Sequence, residues 1–378
     1  MGKPMTDREI SRLRLGNQRL SRPTLARPAD VVGWLGAVQA QDFAGAKWAV
    51  GARMRAAIDA DVERAFNAGS ILRTHILRPT WHFVLPADIR WMLALTAPRV
   101  KAGLASRHRQ LGLDSRTLRR SSAAVERALQ GGAQLTRDEL REVLARAGVM
   151  ADGARMAHIM MHAELNGIVC SGARRGKQFA YALLDAQAPA GPILNRDEAL
   201  AALASRYFAS RGPATLHDFA KWSGLTLADA RAGLNAVESE LRRDVVDDRA
   251  YWTSAAAPPE RVASAPTGPA STPAGPNSAR AYLLSIFDEF ISSYRDRSAI
   301  VAPEHARKLW PMGNAVTHII VLDGRIVGTW RRRLEAKTVN IEPRFFERPT
   351  NAAKRAVTAA ARRYAAFLGL PLALGAMS

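Results

Sequence analysis

Cysteine is nearly missing from this chain. Cys170 is the only one in 378 residues. That excludes a disulfide framework and any zinc site built on paired cysteines. Lysine is scarce as well: eight lysines stand beside 46 arginines. Acidic residues are too few to balance them, 34 against 54 basic side chains, giving a net charge of +20 and a pI near 11.1. No run of roughly eighteen uncharged apolar residues occurs, so no transmembrane helix is expected. There is no Gly-rich phosphate loop, no GxSxG and no CxxC, which removes many enzyme classes. The opening stretch MGKPMTDREISRLR is charged early and has no apolar segment. No secretory leader is expected there, and a cytoplasmic location is.

What remains is a strongly basic polypeptide of ordinary apolar content, 48%. Codon bias toward GC explains arginine in place of lysine, but not the surplus of positive over negative charge. A polyanionic partner is the natural reading, nucleic acid before an anionic membrane surface. The guanidinium fork suits phosphate. The expected partner is double-stranded DNA, bound by a nucleoid-associated monomer with no obligate protein partner. Nothing in the sequence requires a cofactor or a metal ion.

The fold class expected is mainly α with β (α+β): tandem winged helix-turn-helix units followed by a C-terminal β-rich domain. Residues 254–279 are rich in Pro, Ala, Ser and Gly and read as a flexible linker. Before them, LTRDELREVLARAGV opens on a capping box, Thr136 with Glu139, and stops at Gly148. A second helix, two short strands and the basic turn SGARRGK follow, the order of a winged helix. GPATLHDFAKWSGLTLADARAGLNAV repeats that grammar, with an acidic tip at Asp247-Asp248 in its hairpin. The expected units are 1–130, 131–190 and 191–253, then the linker, then 280–378. In the last, AYLLSIFDEFISSY, THIIVLDGRIVGTWRRR and KTVNIEPRFF read as strands, and a helix runs over about 350–368.

The chemistry is carried by few residues. Gln39-Ala40-Gln41 follows an apolar helical pattern, where helix gives way to loop. Two residues apart share one side only on extended backbone, so the chain must leave the helix near Val38 for both amides to meet. Amides do not titrate; they orient water and support a neighbouring positive charge through their carbonyl oxygens. The alternative is a pair of amides that satisfies loop backbone groups. In RTHILRPTWH, alternation sets Arg78 and His82 on one side of a strand, with Arg73 nearby, as a DNA-facing strand or an ordinary edge. Arg174, Arg175 and Lys177 at the basic turn, and Arg331, Arg332 and Arg333 after Trp330, suit phosphate contact. His158 and His162 have metal-compatible spacing but no signature glutamate, and His75 with His82 lacks partners. Asp288 and Glu289 in FDEF face opposite ways on a strand and make a poor catalytic pair.

VQAQD after an apolar helix, RPTWH, GPATLHDFAKWSGLT, and FDEFISSYRDRS with GTWRRR together resemble the bacterial winged-helix DNA-binding proteins of the AlkZ and YcaQ kind. The resemblance covers nearly the whole chain. It implies tandem winged helices with a C-terminal β-rich domain around DNA. It also implies a DNA glycosylase that removes N-alkylated purines, crosslinked ones included, with Gln39 and Gln41 as the catalytic pair. With no lysine standing out as a nucleophile, a monofunctional enzyme is expected. The competing expectation is a regulator or architectural protein that binds DNA without catalysis.

Overall fold

The computed structural model describes residues 5–188, 190–191, 194–256, 279–309 and 317–377. The expected linker over 254–279 lies almost wholly outside them. Helix α1 (Asp7–Asn17) starts on a capping box between Thr6 and Glu9. Then come α2 (Pro28–Leu35), β1 (Val38–Gln39), α3 (Phe43–Gly51), α4 (Asp59–Asn67), β2 (Leu72–His75) and β3 (Trp81–Val84). The three strands form one sheet in the order β1-β3-β2. A long helix, α5 (Pro86–Gln110), carries the chain onward.

The same order of elements then recurs. It runs α6 (Ser115–Ala128), β4 (Leu135–Thr136), α7 (Arg137–Arg146), α8 (Gly153–Leu165), β5 (Val169–Ser171) and β6 (Ala180–Leu183), with the sheet β4-β6-β5. After the short α9 (Leu184–Gln187) it appears again. This time α10 (Arg196–Arg211) leads to a strand-like bridge at Ala214, then α11 (Leu216–Ser223), α12 (Leu227–Ala236), β7 (Leu241–Val246) and β8 (Arg249–Ser254). In all three places the last strand lies in the middle. The local causes are those expected: Thr136 and Thr215 both close capping boxes, and Gly224 adopts the left-handed conformation that ends α11. One boundary shifts. Leu118 and Val125 of α6 share a core with Leu140, Leu144 and Met156 of α7 and α8, so residue 130 falls inside a packing unit.

The remainder comprises β9 (Ala281–Leu284), α13 (Glu289–Ser292), α14 (Pro303–Leu309), β10 (His318–Leu322), β11 (Arg325–Leu334), β12 (Val339–Phe345), α15 (Asn351–Leu368) and β13 (Leu372–Leu374). The strands form a five-stranded sheet in the order β13-β12-β11-β10-β9, antiparallel except for β12 with β13. Asp323 and Gly324 make the two-residue turn with φ of 48° and 89°. One expectation is corrected: AYLLSIFDEFISSY is a strand only as far as Leu284. Phe287 turns at φ 63°, and Asp288 caps a short helix by accepting from the Phe290 N–H at 2.8 Å.

The sheet β1-β3-β2 is buried on both faces. Val38, Ala40 and Phe83 join Trp48, Leu283, Trp330 and Tyr364 on one side. Ala37, Leu72 and Val84 join Trp91, Tyr207, Phe219 and Trp222 on the other. The first repeat is therefore wedged between the third and the C-terminal sheet.

Candidate active site

Helix α2 ends at Gly36, whose φ of 73° turns the chain out of the helix two residues before Val38. The backbone then runs extended beside β3, with Gln39 opposite His82. Val38 and Ala40 point into the core, so Gln39 and Gln41 project on the other side, Gln39 half-buried and Gln41 exposed. The motif is held at every residue. The Ala40 N–H donates to the Trp81 carbonyl at 2.7 Å, and the Ala40 carbonyl accepts from Arg73 Nε at 3.0 Å. The Gln39 N–H donates to Glu289 Oε1 at 2.9 Å, and Gln41 Oε1 accepts from the Trp81 N–H at 3.3 Å. The Gln39 side chain has no hydrogen-bond partner among the described residues. Gln41 thus serves the backbone with one end of its amide, as the structural alternative requires, while its other end stays free.

On the Gln39 side lies a fully buried ion pair, Arg211 with Glu289 at 2.7 Å. Glu289 Oε2 also accepts from Ser293 Oγ at 2.7 Å and Trp222 Nε1 at 3.1 Å. Burial alone would raise this carboxyl, but the charge and hydrogen bond of Arg211, with the Gln39 N–H and Ser293 donors, outweigh it and lower its pKa to about 2. His82 is fully buried and neutral, its pKa pushed down to about 3 by burial and by Arg78. Its Nδ1 lies 2.9 Å from the Thr80 carbonyl and its Nε2 3.4 Å from Arg78 Nη2, which fits a proton on Nδ1. Arg78 also donates to the Trp222 and Lys221 carbonyls at 3.0 and 3.3 Å. Lys221, which sequence reasoning passed over, is lowered to about 7 by burial and by Arg78 and Arg297; its Nζ is turned onto the Ser292 carbonyl.

On the Gln41 side, Arg73 is buried between the rings of Trp81 and Phe179, 4.2 and 4.6 Å from their centroids. Burial draws its pKa down to about 10, against the pull of Glu164. Glu164 of α8 is itself buried and accepts from Trp81 Nε1 at 3.3 Å while contacting His75 Nδ1. Arg73 and His82 are therefore not on a DNA-facing surface. His82 does alternate with Trp81 and Phe83, but Arg78 lies in the bend before β3, and Arg73, opposite Phe83, is on the face of the sheet away from His82; both faces are covered. Arg78 is half-buried and occupied by the contacts above.

The other predicted cations divide. Arg174 is drawn inward, 3.0 Å from Glu63 Oε1 and over Phe43 and Phe179. Arg175 is exposed but pairs with Glu139 at 2.7 Å, and Lys177 is exposed. On β11, Arg331 and Arg333 are exposed near the tip of the β11–β12 hairpin, beside an exposed Leu334, whereas Arg332 turns back onto the Tyr364 hydroxyl. The neighbouring strand β10, whose His318 pairs with Trp330, comes back toward the motif. His318, lowered to about 4 by burial and by Arg332, feels the opposing charge of Asp42, the residue after Gln41. Neither His75 with His82 nor His158 with His162 forms a metal-ligating group. Among the described residues three ligand atoms come within 4.8 Å of one another only at exposed Glu304, Glu347 and half-buried His305.

The model of the DNA glycosylase AlkZ-like family matches residues 32–367. An interstrand DNA cross-link repair glycosylase of Streptomyces sahachiroi is 28% identical over 335 residues, 85% of this chain and 87% of that protein. The solved structure of the Streptomyces sahachiroi DNA glycosylase AlkZ superposes with a TM-score of 0.78 at 25% identity, covering 99% of this chain and 100% of that one. On the strength of a match over residues 32–367, which include both glutamines, the chain belongs to the DNA glycosylase AlkZ-like family.

Proposed function

We propose that this protein is a monofunctional DNA glycosylase that hydrolyses the N-glycosidic bond of N-alkylated purines, N7-alkylated or crosslinked, in duplex DNA, with Gln39 and Gln41 as its catalytic pair. The observation that carries the reading is the presentation of the motif: an extended strand, clamped at three successive residues, turns two uncharged amides outward and buries the alanine between them. Family membership and the activity in the name of its Streptomyces relative support it.

The chemistry suits amides. A purine alkylated at N7 already carries positive charge and leaves without much acid help. What the site must supply is support for an oxocarbenium-like sugar and a placed water. Gln41 is oriented by the Trp81 N–H on its oxygen, which leaves its NH2 to hold the water oxygen. The unpartnered Gln39 carbonyl accepts a hydrogen bond from that water; as the N-glycosidic bonding pair leaves with the purine, the water oxygen adds to the sugar carbon and its proton passes to solvent. The Asp42 carboxylate adds a negative field beside them. Buried, neutral His82 adds no opposing charge.

Binding falls to three winged helices, as the thrice-repeated element order is read, and to exposed Arg175, Lys177, Arg331 and Arg333, which take phosphates. The acidic Asp247-Asp248 tip makes the third unit the poorest of them for phosphate contact. On this reading the protein acts as a cytoplasmic, nucleoid-associated monomer, and no helix among the described residues is long and apolar enough to cross a membrane.

The test is base release from duplex DNA containing one N7-methylguanine at excess enzyme. Wild type frees the base. Gln41→Ala slows single-turnover release by about 100-fold or more with duplex Kd changed less than about threefold. No release by wild type, together with strong preference for one undamaged sequence, would identify a regulator instead.

A further inference from the structure

We propose that Glu289 is a positioning residue for Gln39, acting through that residue's backbone amide from a point 250 positions along the chain. The inference rests on the glycosylase reading for its effect on rate, but not for its effect on structure.

The need arises from the shape of β1. It is two residues long and lies at the edge of its sheet. Such a strand has little pairing of its own to fix it. Because the Ala40 N–H points to β3, the Gln39 N–H points the opposite way, out of the sheet. It is sheltered there from water and requires an acceptor. Glu289 Oε1 is that acceptor, at 2.9 Å.

The carboxylate is not free to drift. Its second oxygen takes donors from Arg211, Ser293 and Trp222. Arg211 completes the grip, for its guanidinium also donates to the Leu35 carbonyl at 2.6 Å and the Ala37 carbonyl at 3.0 Å. Leu35 is the last residue of α2, so its carbonyl has no partner inside the helix. One buried ion pair therefore holds the carbonyls of residues 35 and 37 and the N–H of residue 39, on either side of the Gly36 turn. Those groups set the direction in which the chain leaves α2, and with it where the Gln39 side chain emerges. A general stabilising ion pair would not need to touch three alternate residues of the catalytic segment. Arg211 belongs to the third repeat, Glu289 and Ser293 to the C-terminal part, and Gln39 to the first repeat.

Two variants test this. Glu289→Gln keeps the shape and removes the charge; Ser293→Ala keeps the charge and loosens the carboxylate. Amide hydrogen exchange across residues 37–41 is measured in each. The Gln39 amide exchanges about tenfold faster or more in Glu289→Gln, and a few-fold faster in Ser293→Ala, while the amides of the β2–β3 hairpin hold their rates. Base release is then measured in a double-mutant cycle. Glu289→Gln lowers the single-turnover rate by about 30-fold with duplex Kd nearly unchanged, yet costs less than about threefold more in a Gln39→Ala background. Unchanged exchange at Gln39 overturns the proposal, as does full loss in both backgrounds. If Glu289→Gln does not fold, the exchange measured in Ser293→Ala decides. Should Gln39 exchange respond while wild type releases no base, the positioning stands and the glycosylase reading falls.

Discussion

Arg53, like Arg211, is buried without exposure. It meets Asp288 through both carboxylate oxygens at 2.8 and 3.0 Å, and also Gln18 and the Ala49 carbonyl. Adjacent carboxylates in FDEF thus serve two guanidinium groups from different parts of the chain. Removing one partner of such a pair strands a buried charge, so Asp288→Ala lowers stability by about 3–5 kcal/mol in urea titration. The titration of buried groups gives a second outcome. His82 and His318 are neutral in the fold to about pH 3 and 4, whereas unfolded histidine takes up its proton near about 6.5. Below that the unfolded chain binds more protons, so Tm falls as pH drops from about 6.5 toward 4. Glu289 adds to the same trend lower down, its contribution present above about 4.5 and lost toward 2. Differential scanning fluorimetry across that range measures it, and His82→Asn makes the slope shallower. Lys221 is the amine most altered toward Schiff-base chemistry, yet it is committed to the Ser292 carbonyl. Borohydride therefore traps no covalent adduct between the protein and abasic DNA. The glutamine pair was legible because its signal is local, a polar repeat where apolar periodicity stops. Its supports were not: Arg73, Arg211 and Glu289 lie far away in sequence, and buried arginines do not stand out among 46.

Elements announced by short-range chemistry sit where the sequence puts them. Capping boxes, the Asp323-Gly324 turn and helix-stopping glycines are decided within a few residues. FDEF failed that reading because Phe287 leaves the strand at a positive φ, which nothing about a phenylalanine signals. Helix α3 was missed since its apolar residues are buried all round and leave no amphipathic period. The turn between α11 and α12 shows how a local rule meets a distant contact. Gly224 has φ 71°, and a Cβ there would strike the Leu77 carbonyl, the residue before Arg78. Gly224→Ala costs at least about 2 kcal/mol by thermal unfolding, from left-handed strain plus the clash. The β11–β12 hairpin tip is expected to act on binding. Arg331→Ala with Arg333→Ala weakens duplex affinity alike for damaged and undamaged DNA, and reduces the salt slope by about one per lost phosphate contact.

At the scale of the whole molecule, the first repeat shares its cores with the third repeat and with the C-terminal sheet, whereas most of the second repeat packs a core of its own. Trp48 and Phe83 of the first repeat share one with Leu283, Trp330 and Tyr364, while Leu72 and Val84 share another with Tyr207 and Trp222. These regions are expected to melt in one calorimetric transition, and two resolved peaks would count against that. Such sharing was not legible in the sequence, because a linker can be read from local composition and a common core between distant segments cannot. It has a bearing on birth as well as on maturity. Gln39 leaves the ribosome 250 residues ahead of the carboxylate proposed to position it. If Glu289 acts as proposed, a nascent or truncated chain that stops short of residue 289 displays the motif without the contact that aims it, and excises bases more slowly than the finished fold.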